Sequence, residues 1–480
     1  MSLARKTFSA VRWTTLSALF RASLQLVQLA ILARLLTPAD YGLLAMVTVV
    51  LGFAGQFADM GANSAFVHKQ RVTDEQRTSL YWLNVGSSIA LMLLLILVSP
   101  VIAWMMNEPR LTPLLMVMAS SLFITALGQQ VRMAAEKQLD FRPVVVLEIT
   151  SAMLGFGVAV LAAWSNFGVW AILAGSLTGS VVATAGAWIF LSRGWRPRWR
   201  FQWAEVRPFL AFGGALVANH LVNYLNASID FLLVGRLLGA SQLGIYSVPR
   251  NLVLQIQDMV NPIVTRVGFP LIAQMQHDRE RVRSIYLKTM NMTASINAPI
   301  HLGMAFFAPE IVALLLGKEW QEVTPILQVL ALWGMLRSLG NPVGSLLFGM
   351  GRADLSLKWN LALTAVIPAT LWLGAQWGTL GMAWAILILQ LGLFVPAWYF
   401  LIRPLCPLSL KDYAIVSFKP QAIAVVAVGG AFLLTRTITI APIYLLAIGV
   451  IFSGMLYFVL AKYTNRDFID SMTRIALMRN

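Results

Sequence analysis

Sulfur chemistry, strand patterning and acidic charge are all scarce in this chain. Of its 480 residues one is cysteine, Cys406, which excludes an internal disulfide and any cysteine-rich metal site. Charged residues make up 12% of the chain, about half of what a soluble domain carries. Acids are the scarcer sign, 20 Asp and Glu against 36 Lys and Arg. No run of about ten alternating residues marks a transmembrane β-strand. No G-x-x-x-x-G-K-[S/T] stretch is present, so nucleotide hydrolysis by a P-loop is excluded and no cofactor is expected. The segments between apolar runs are too short for a soluble domain. The N-terminal run shows no small-residue cleavage site, and Arg12 and Arg21 interrupt it, so it reads as a first span rather than a signal peptide.

What is present is apolar: 58% of the residues are hydrophobic, in runs of about 18–25, the length of a membrane-spanning helix. The chain reads as an all-α integral membrane protein with about 14 spans. Their limits are 11–36, 41–63, 80–106, 111–131, 144–164, 168–192, 207–238, 243–266, 284–308, 321–349, 357–376, 379–402, 421–438 and 441–461. Without the last pair the number is twelve. Cations alternate in density between the connecting loops. With the N-terminus inside, 28 of the 36 Lys and Arg fall on the inner side. Arg34, Arg110, Arg236, Lys318 and Arg436 fall outside, and Arg21, Arg250 and Arg337 lie within spans. This asymmetry puts both termini in the cytoplasm. It accounts for most of the +16 net charge without nucleic acid. The mixed stretch "RGWRPRWRFQW" at 193–203 reads as an inner-face linker touching lipid headgroups.

The sequence repeats itself weakly. "ARLLTPADYGLLAMV" at 33–47 aligns with "GRLLGASQLGIYSVP" at 235–249, pairing Arg34 with Arg236 and Gly42 with Gly244. "ITALGQQ" at 124–130 resembles "LRSLGNP" at 336–342. These offsets predict two six-helix lobes, 1–200 and 201–403, followed by a helix pair and cytoplasmic tail at 404–480. An even number of spans per lobe gives both copies the same orientation, as in several secondary transporters, whose substrate sites lie between lobes.

Each lobe opens with a polar helix. Asn219, Asn223, Asn226 and Asp230 are spaced 4, 3 and 4, so they share a face roughly 60° wide. At the repeat offset, Ser17, Arg21 and Gln28 form the matching face, with Gln25 beside it. A charge at mid-bilayer costs about 2.5–3.5 kcal/mol, so such groups face a bundle interior or a water-filled cavity. Interhelical hydrogen bonding is the alternative for any single Asn or Gln, and an Arg21–Asp230 ion pair is another. Arg337 with Asn341, Arg250 with Asp258, and Glu148 are further polar groups inside spans. His220 and His301 read as proton carriers or as polar packing. Asp59 reads as a structural cap.

Eight stretches together carry a family resemblance: "ILARLLTPADYGLLAM", "FADMGANSAFVHK", "LYWLNVG", "GQQVRMAAEKQLDF", "NYLN", "NPIVTRVGFP", "LLLGKEW" and "VLALWGMLRSLGNPVGSLL". They extend from about residue 1 to 350. In this order the chain resembles the Wzx-type polysaccharide flippases of the multidrug/oligosaccharidyl-lipid/polysaccharide (MOP) exporter superfamily, the colanic-acid type above all. The resemblance implies a V-shaped two-lobed bundle in the bacterial inner membrane. It implies alternating-access transfer of undecaprenyl-diphosphate-linked oligosaccharide, with proton or sodium coupling. A monomer is expected, with polysaccharide polymerase machinery as an associated partner.

Position and spacing then assign roles. A diphosphate crossing a low-dielectric layer needs cations and hydrogen-bond donors. Arg21 and Arg337 are the expected diphosphate contacts. Gln25, Gln28, Asn219, Asn223, Asn226 and Asn341 are expected to bind sugar hydroxyls, and Asp230 and Asp258 to couple an ion. No metal site is expected. Two alternatives stay open: a drug/cation antiporter of the same superfamily, and a membrane enzyme that polymerises glycans.

Overall fold

Residues 3–58, 66, 72–138, 140–437 and 441–477 of the computed structural model are described; side chains at 3–11, 211–220, 262–267 and 474–477 are left aside. Among them the chain is helical from end to end, with no strand. The helices are α1 (Leu3–Leu32), α2 (Pro38–Ala58), α3 (Asp74–Met106), α4 (Leu111–Lys137), α5 (Phe141–Trp164), α6 (Val169–Gly186), α7 (Trp203–Gln274), α8 (Arg279–Phe306) and α9 (Ala308–Leu315). Then come α10 (Val323–Ser338), α11 (Gly340–Gly349), α12 (Ala353–Ala375), α13 (Gly378–Gly392), α14 (Phe394–Ala397), α15 (Leu410–Thr435), α16 (Pro442–Thr464) and α17 (Arg466–Leu477).

Local chemistry sets several of these ends. The Thr73 hydroxyl accepts from the Gln76 amide at 3.2 Å, while the Gln76 side chain accepts from the Thr73 amide at 3.4 Å. This reciprocal pair satisfies two of the free N–H groups that open α3. Asn107 ends the same helix in the left-handed region, at φ 55°. The side chains of Asp278 and Ser409 cap α8 and α15 by accepting from the Arg281 and Asp412 amides.

Eleven of the described helices are long and apolar enough to cross a membrane, or twelve if the bent pair Arg279–Phe306 and Ala308–Leu315 forms one span. The protein is therefore a multi-pass membrane protein, but the number fourteen is not confirmed. The differences are local. The expected segments 207–238 and 243–266 both lie on α7, a helix of 72 residues. Gly239 interrupts that helix at φ 85° and ψ 174°, a conformation open to glycine and costly for other residues. The expected segment at 357–376 forms α12 but falls below the apolar threshold, and 284–308 qualifies only with α9. Both segments of the last expected pair qualify, as Leu410–Thr435 and Pro442–Thr464.

The chain divides into two compact units, Met1–Gly244 and Ile245–Asn480. In the first, α5 packs along α6 and α1, α3 along α4, and α4 also against α2 and α6. The two glycines matched by the sequence repeat meet there. A Cβ on Gly42 would lie 1.7 Å from the Ala240 carbonyl oxygen, and one on Gly244 would lie 1.8 Å from that of Pro38. Only hydrogen fits at either position, which explains why the motif keeps both glycines.

In the second unit α15 and α16 pack onto α8 through Ala298, Leu302, Ala424, Ala427, Val428 and Ala461. A buried amide pair closes this contact. Asn291 donates to Asn465 at 2.9 Å, and Asn465 donates back at 3.0 Å.

Candidate functional site

The polar groups of the first unit converge on one carboxylate. Glu148 lies two turns into α5, and its side chain is 14% exposed. Helix α4 continues past the expected limit at 131 to Lys137, which places Arg132 and Glu136 one turn apart, 3.1 Å between Nε and Oε1. An Arg132 guanidinium N–H donates to Glu148 Oε1. Glu148 Oε2 accepts from the Ser17 hydroxyl at 2.8 Å and lies 3.7 Å from Arg21 Nη1. Three helices, α1, α4 and α5, are thus tied through a single side chain. Beside it opens a cavity of about 310 Å³, lined by Gln129, Arg132, Glu136, Glu148 and Thr184 among others. That is room for about ten waters. Two guanidiniums, two carboxylates and a hydroxyl inside apolar helices are costly unless they face such a space.

This geometry corrects one expectation. The carboxylate partner of Arg21 is Glu148, not Asp230. Asp230 lies on α7, 3% exposed, and its Oδ1 accepts from the Phe231 amide at 3.0 Å. On the same helix Asn223 is exposed and Asn226 half-buried. The Tyr224 hydroxyl donates to the Val49 carbonyl at 3.0 Å, pinning this helix to α2. The side chains of Asn219 and His220 lie outside the described residues, as does all of Asp59. On α1, Ser17 is buried and Arg21 half exposed, while Gln25 is exposed and Gln28 half-buried. The polar face of α1 therefore divides: Ser17 and Arg21 are held at Glu148, and Gln25 and Gln28 are not.

The second unit holds its cations differently. Arg337, on the last turn of α10, donates to the Gln257 amide oxygen at 2.8 Å. The Gln257 amide nitrogen donates in turn to the Gly334 carbonyl at 2.5 Å. The Trp333 ring lies 5.4 Å from the Arg337 guanidinium and 5.7 Å from that of Arg250. Both are within range of its π face. Asp258 is exposed, and Arg337 acts on it electrostatically. Asn341 is engaged at the break between α10 and α11, donating to the Ser338 carbonyl at 3.3 Å. His301 is fully buried, with Nδ1 2.8 Å from the Asn297 carbonyl. Since a carbonyl only accepts, that nitrogen carries a proton. Among the described residues no three His, Cys, Asp or Glu side chains are grouped to hold a metal ion.

Arg132, Gln129 and Gln257 were missed as site residues in the sequence. Arg132 had a signal: Glu136 stands four residues on, a helical pair rather than a loop. Gln257 also had one, since it lies two turns from Arg250 on the same face.

Among the described residues the chain is an all-helical, multi-pass bundle with arginines inside its spans, and this fold has solved counterparts. The structure is similar to "Lipid II flippase MurJ, inward closed conformation", with a TM-score of 0.74 at 13% identity, covering 96% of this chain and 100% of that one. It is also similar to an inward-facing multidrug resistance MATE family transporter of the MOP superfamily, with a TM-score of 0.63 at 14% identity over 84% of this chain and 94% of that one. This is the MOP exporter fold. Residues 31–325 match the family described as polysaccharide biosynthesis protein. Lipopolysaccharide biosynthesis protein WzxC of Escherichia coli K12 is 33% identical over 423 residues, 88% of this chain and 86% of that protein. The chain belongs to this polysaccharide biosynthesis protein family.

Proposed function

We propose that this protein is a flippase of the bacterial inner membrane. It moves undecaprenyl-diphosphate-linked oligosaccharide repeat units from the inner to the outer leaflet by alternating access, for exopolysaccharide or lipopolysaccharide biosynthesis. Family membership supplies the polysaccharide context. The observation that carries the substrate class is the set of guanidiniums within membrane helices, Arg21 and Arg132 in one unit and Arg250 and Arg337 in the other. A lipid-linked diphosphate is the anionic, bidentate acceptor that such groups suit. A drug cation is not.

In this reading Arg21 and Arg337 contact the diphosphate. Gln25, Gln28, Asn219, Asn223, Asn226 and Asn341 meet sugar hydroxyls, and Asp230 and Asp258 couple a proton or sodium gradient. Both termini are cytoplasmic, the lobes span 1–200 and 201–403, and the segment 404–480 is an added helix pair with its tail. The chain works as a monomer beside polymerase machinery.

The test is a double substitution, Arg21→Ala with Arg337→Ala. Export should cease while the protein still inserts, and lipid-linked repeat units should accumulate on the inner leaflet. Normal polymer yield from the double variant would overturn the diphosphate assignment.

A further inference from the structure

The Glu148 cluster has the donor set of an anion site with its own chain supplying the anion. Ser17 and Arg21 from α1 and Arg132 from α4 all aim at one carboxylate on α5. The Gln129 amide on α4 and the Thr184 hydroxyl on α6 line the adjoining cavity. The Thr184 hydroxyl is committed to the Ile124 carbonyl at 2.8 Å. The other charged group lining the cavity is Glu136, paired with Arg132 at 3.1 Å. Neither guanidinium is buried away: the Arg21 side chain is 50% exposed and that of Arg132 42%. Each can therefore exchange its partner without first opening a packed core. The carboxylate is the enclosed member, 14% exposed.

We infer that Glu148 is an internal latch, a carboxylate that holds the place of a diphosphate and is displaced by it. The inference rests on the flippase reading for its ligand and extends that reading to regulation of the site. A diphosphate offers several charged oxygens where a carboxylate offers two, and arginine binds both bidentately. A diphosphate entering the cavity takes Arg132 and Arg21 from Glu148. The Ser17 bond then stands alone at Glu148, and α1 loses its charged contact with α5, leaving helix packing and that one hydrogen bond. Ligand arrival is thereby converted into release of a helix. The latch can shift the equilibrium only by the difference in affinity between the two states, and that difference is carried by the exchange of one anion for another.

The experiment uses the full chain in detergent, with inorganic pyrophosphate as probe and binding read by calorimetry. Glu148→Gln keeps the side-chain shape and an oxygen for Ser17 but removes the competing charge. It should bind pyrophosphate at least tenfold tighter than the unsubstituted protein, and Arg132→Ala at least tenfold weaker. A Glu148→Gln variant that binds no tighter overturns the latch. A short-chain prenyl diphosphate should compete with pyrophosphate, whereas phosphatidylglycerol should not. Equal competition by phosphatidylglycerol overturns the diphosphate assignment in favour of a general headgroup contact.

One measurement needs no variant to fold. In the unsubstituted protein, pyrophosphate should speed amide hydrogen exchange between Ser17 and Gln28 several-fold. Unchanged or slower exchange also overturns the latch. None of these readouts requires export. Loss of export in the Arg21/Arg337 double variant with no gain in Glu148→Gln sinks the latch and leaves the flippase reading. Normal export in that double variant with tighter binding by Glu148→Gln overturns the Arg21 and Arg337 pair as the diphosphate contact and leaves Glu148 as the competitor for Arg132.

Discussion

Arg132 in the first unit leans on two carboxylates, whereas Arg337 in the second leans on an amide and an indole. Both are cations inside apolar helices, and both are anchored. The anchors differ in what they leave behind. A carboxylate neutralises the guanidinium, so a new anion must compete for it. An amide and a ring face hold the guanidinium in position, with the Asp258 carboxylate acting on it electrostatically rather than in a direct ion pair as close as those of Arg132. The first unit thus anchors its guanidinium chiefly by direct ion pairs, and the second chiefly by neutral contacts. This difference would be invisible if the residues were only sorted into charged and uncharged.

The comparison breaks most severely at Trp333. This side chain is 6% exposed, and both Arg250 and Arg337 face its ring. Trp333→Ala removes a buried aromatic and the shared cation–π surface together, and should cost about 3–5 kcal/mol. Denaturant unfolding in detergent, followed by intrinsic fluorescence, measures this. Trp333→Phe retains a ring face and should recover most of the loss. If the two variants unfold alike, the ring is not what positions the arginines.

Glu148→Ala is the corresponding break in the first unit. It strands Arg21, frees Ser17 and leaves Arg132 with Glu136. The expected loss is smaller, about 1–3 kcal/mol, because the exposed guanidiniums recover hydration. The same unfolding measurement checks it. A loss as large as that of Trp333→Ala would mean that the cluster is a structural keystone rather than an exchangeable contact.

A single isosteric change sharpens the contrast. Gln257→Glu gives Arg337 the kind of partner that Arg132 already has. Adding a carboxylate in direct contact with that cation should lower export about tenfold, a loss of ~1.4 kcal/mol, with little change in unfolding. Pulse-labelled polymer yield is the readout, and an unchanged yield would mean that the charge at Arg337 is not used.

The sequence made the larger pattern legible because that pattern lies in composition and spacing. Apolar run length located the spans, and the 4-3-4 spacing put Asn223, Asn226 and Asp230 on one face of α7. The repeat pointed to Gly42 and Gly244, where an added Cβ would meet the Ala240 and Pro38 carbonyl oxygens at 1.7 and 1.8 Å. The tertiary pairing was not legible. Glu148 and Arg132 are sixteen residues apart on different helices, and no periodicity predicts which faces of two helices meet. The end of α4 was misjudged for a similar reason. Arg132 reads as a loop cation by charge, but a paired Arg–Glu turn lets the helix run on to Lys137. The expected gap between 238 and 243 holds the Gly239 break that separates two arms of α7, while the exact number of spans is not confirmed.

The limiting case of the comparison is a pair with better geometry and no enclosure. Arg352 grips Asp354 with both nitrogens, at 2.8 and 3.0 Å, closer than Arg21 comes to Glu148. Both side chains are nearly half exposed. The Arg352 guanidinium holds the Asp354 carboxyl down to about 2, from an ordinary value of 3.8. A depressed carboxyl contributes its full share of stability above that ordinary value and loses it as the pH falls through about 2. Between pH 5 and 8 the share is therefore constant. Solvent screens it in any case, as it does most exposed pairs. Arg352→Ala should melt within error of the unsubstituted protein across that range, as measured by parallel thermal scans. If it melted well below, distance alone would govern these pairs, and the weight placed on the enclosure of Glu148 and Trp333 would be misplaced.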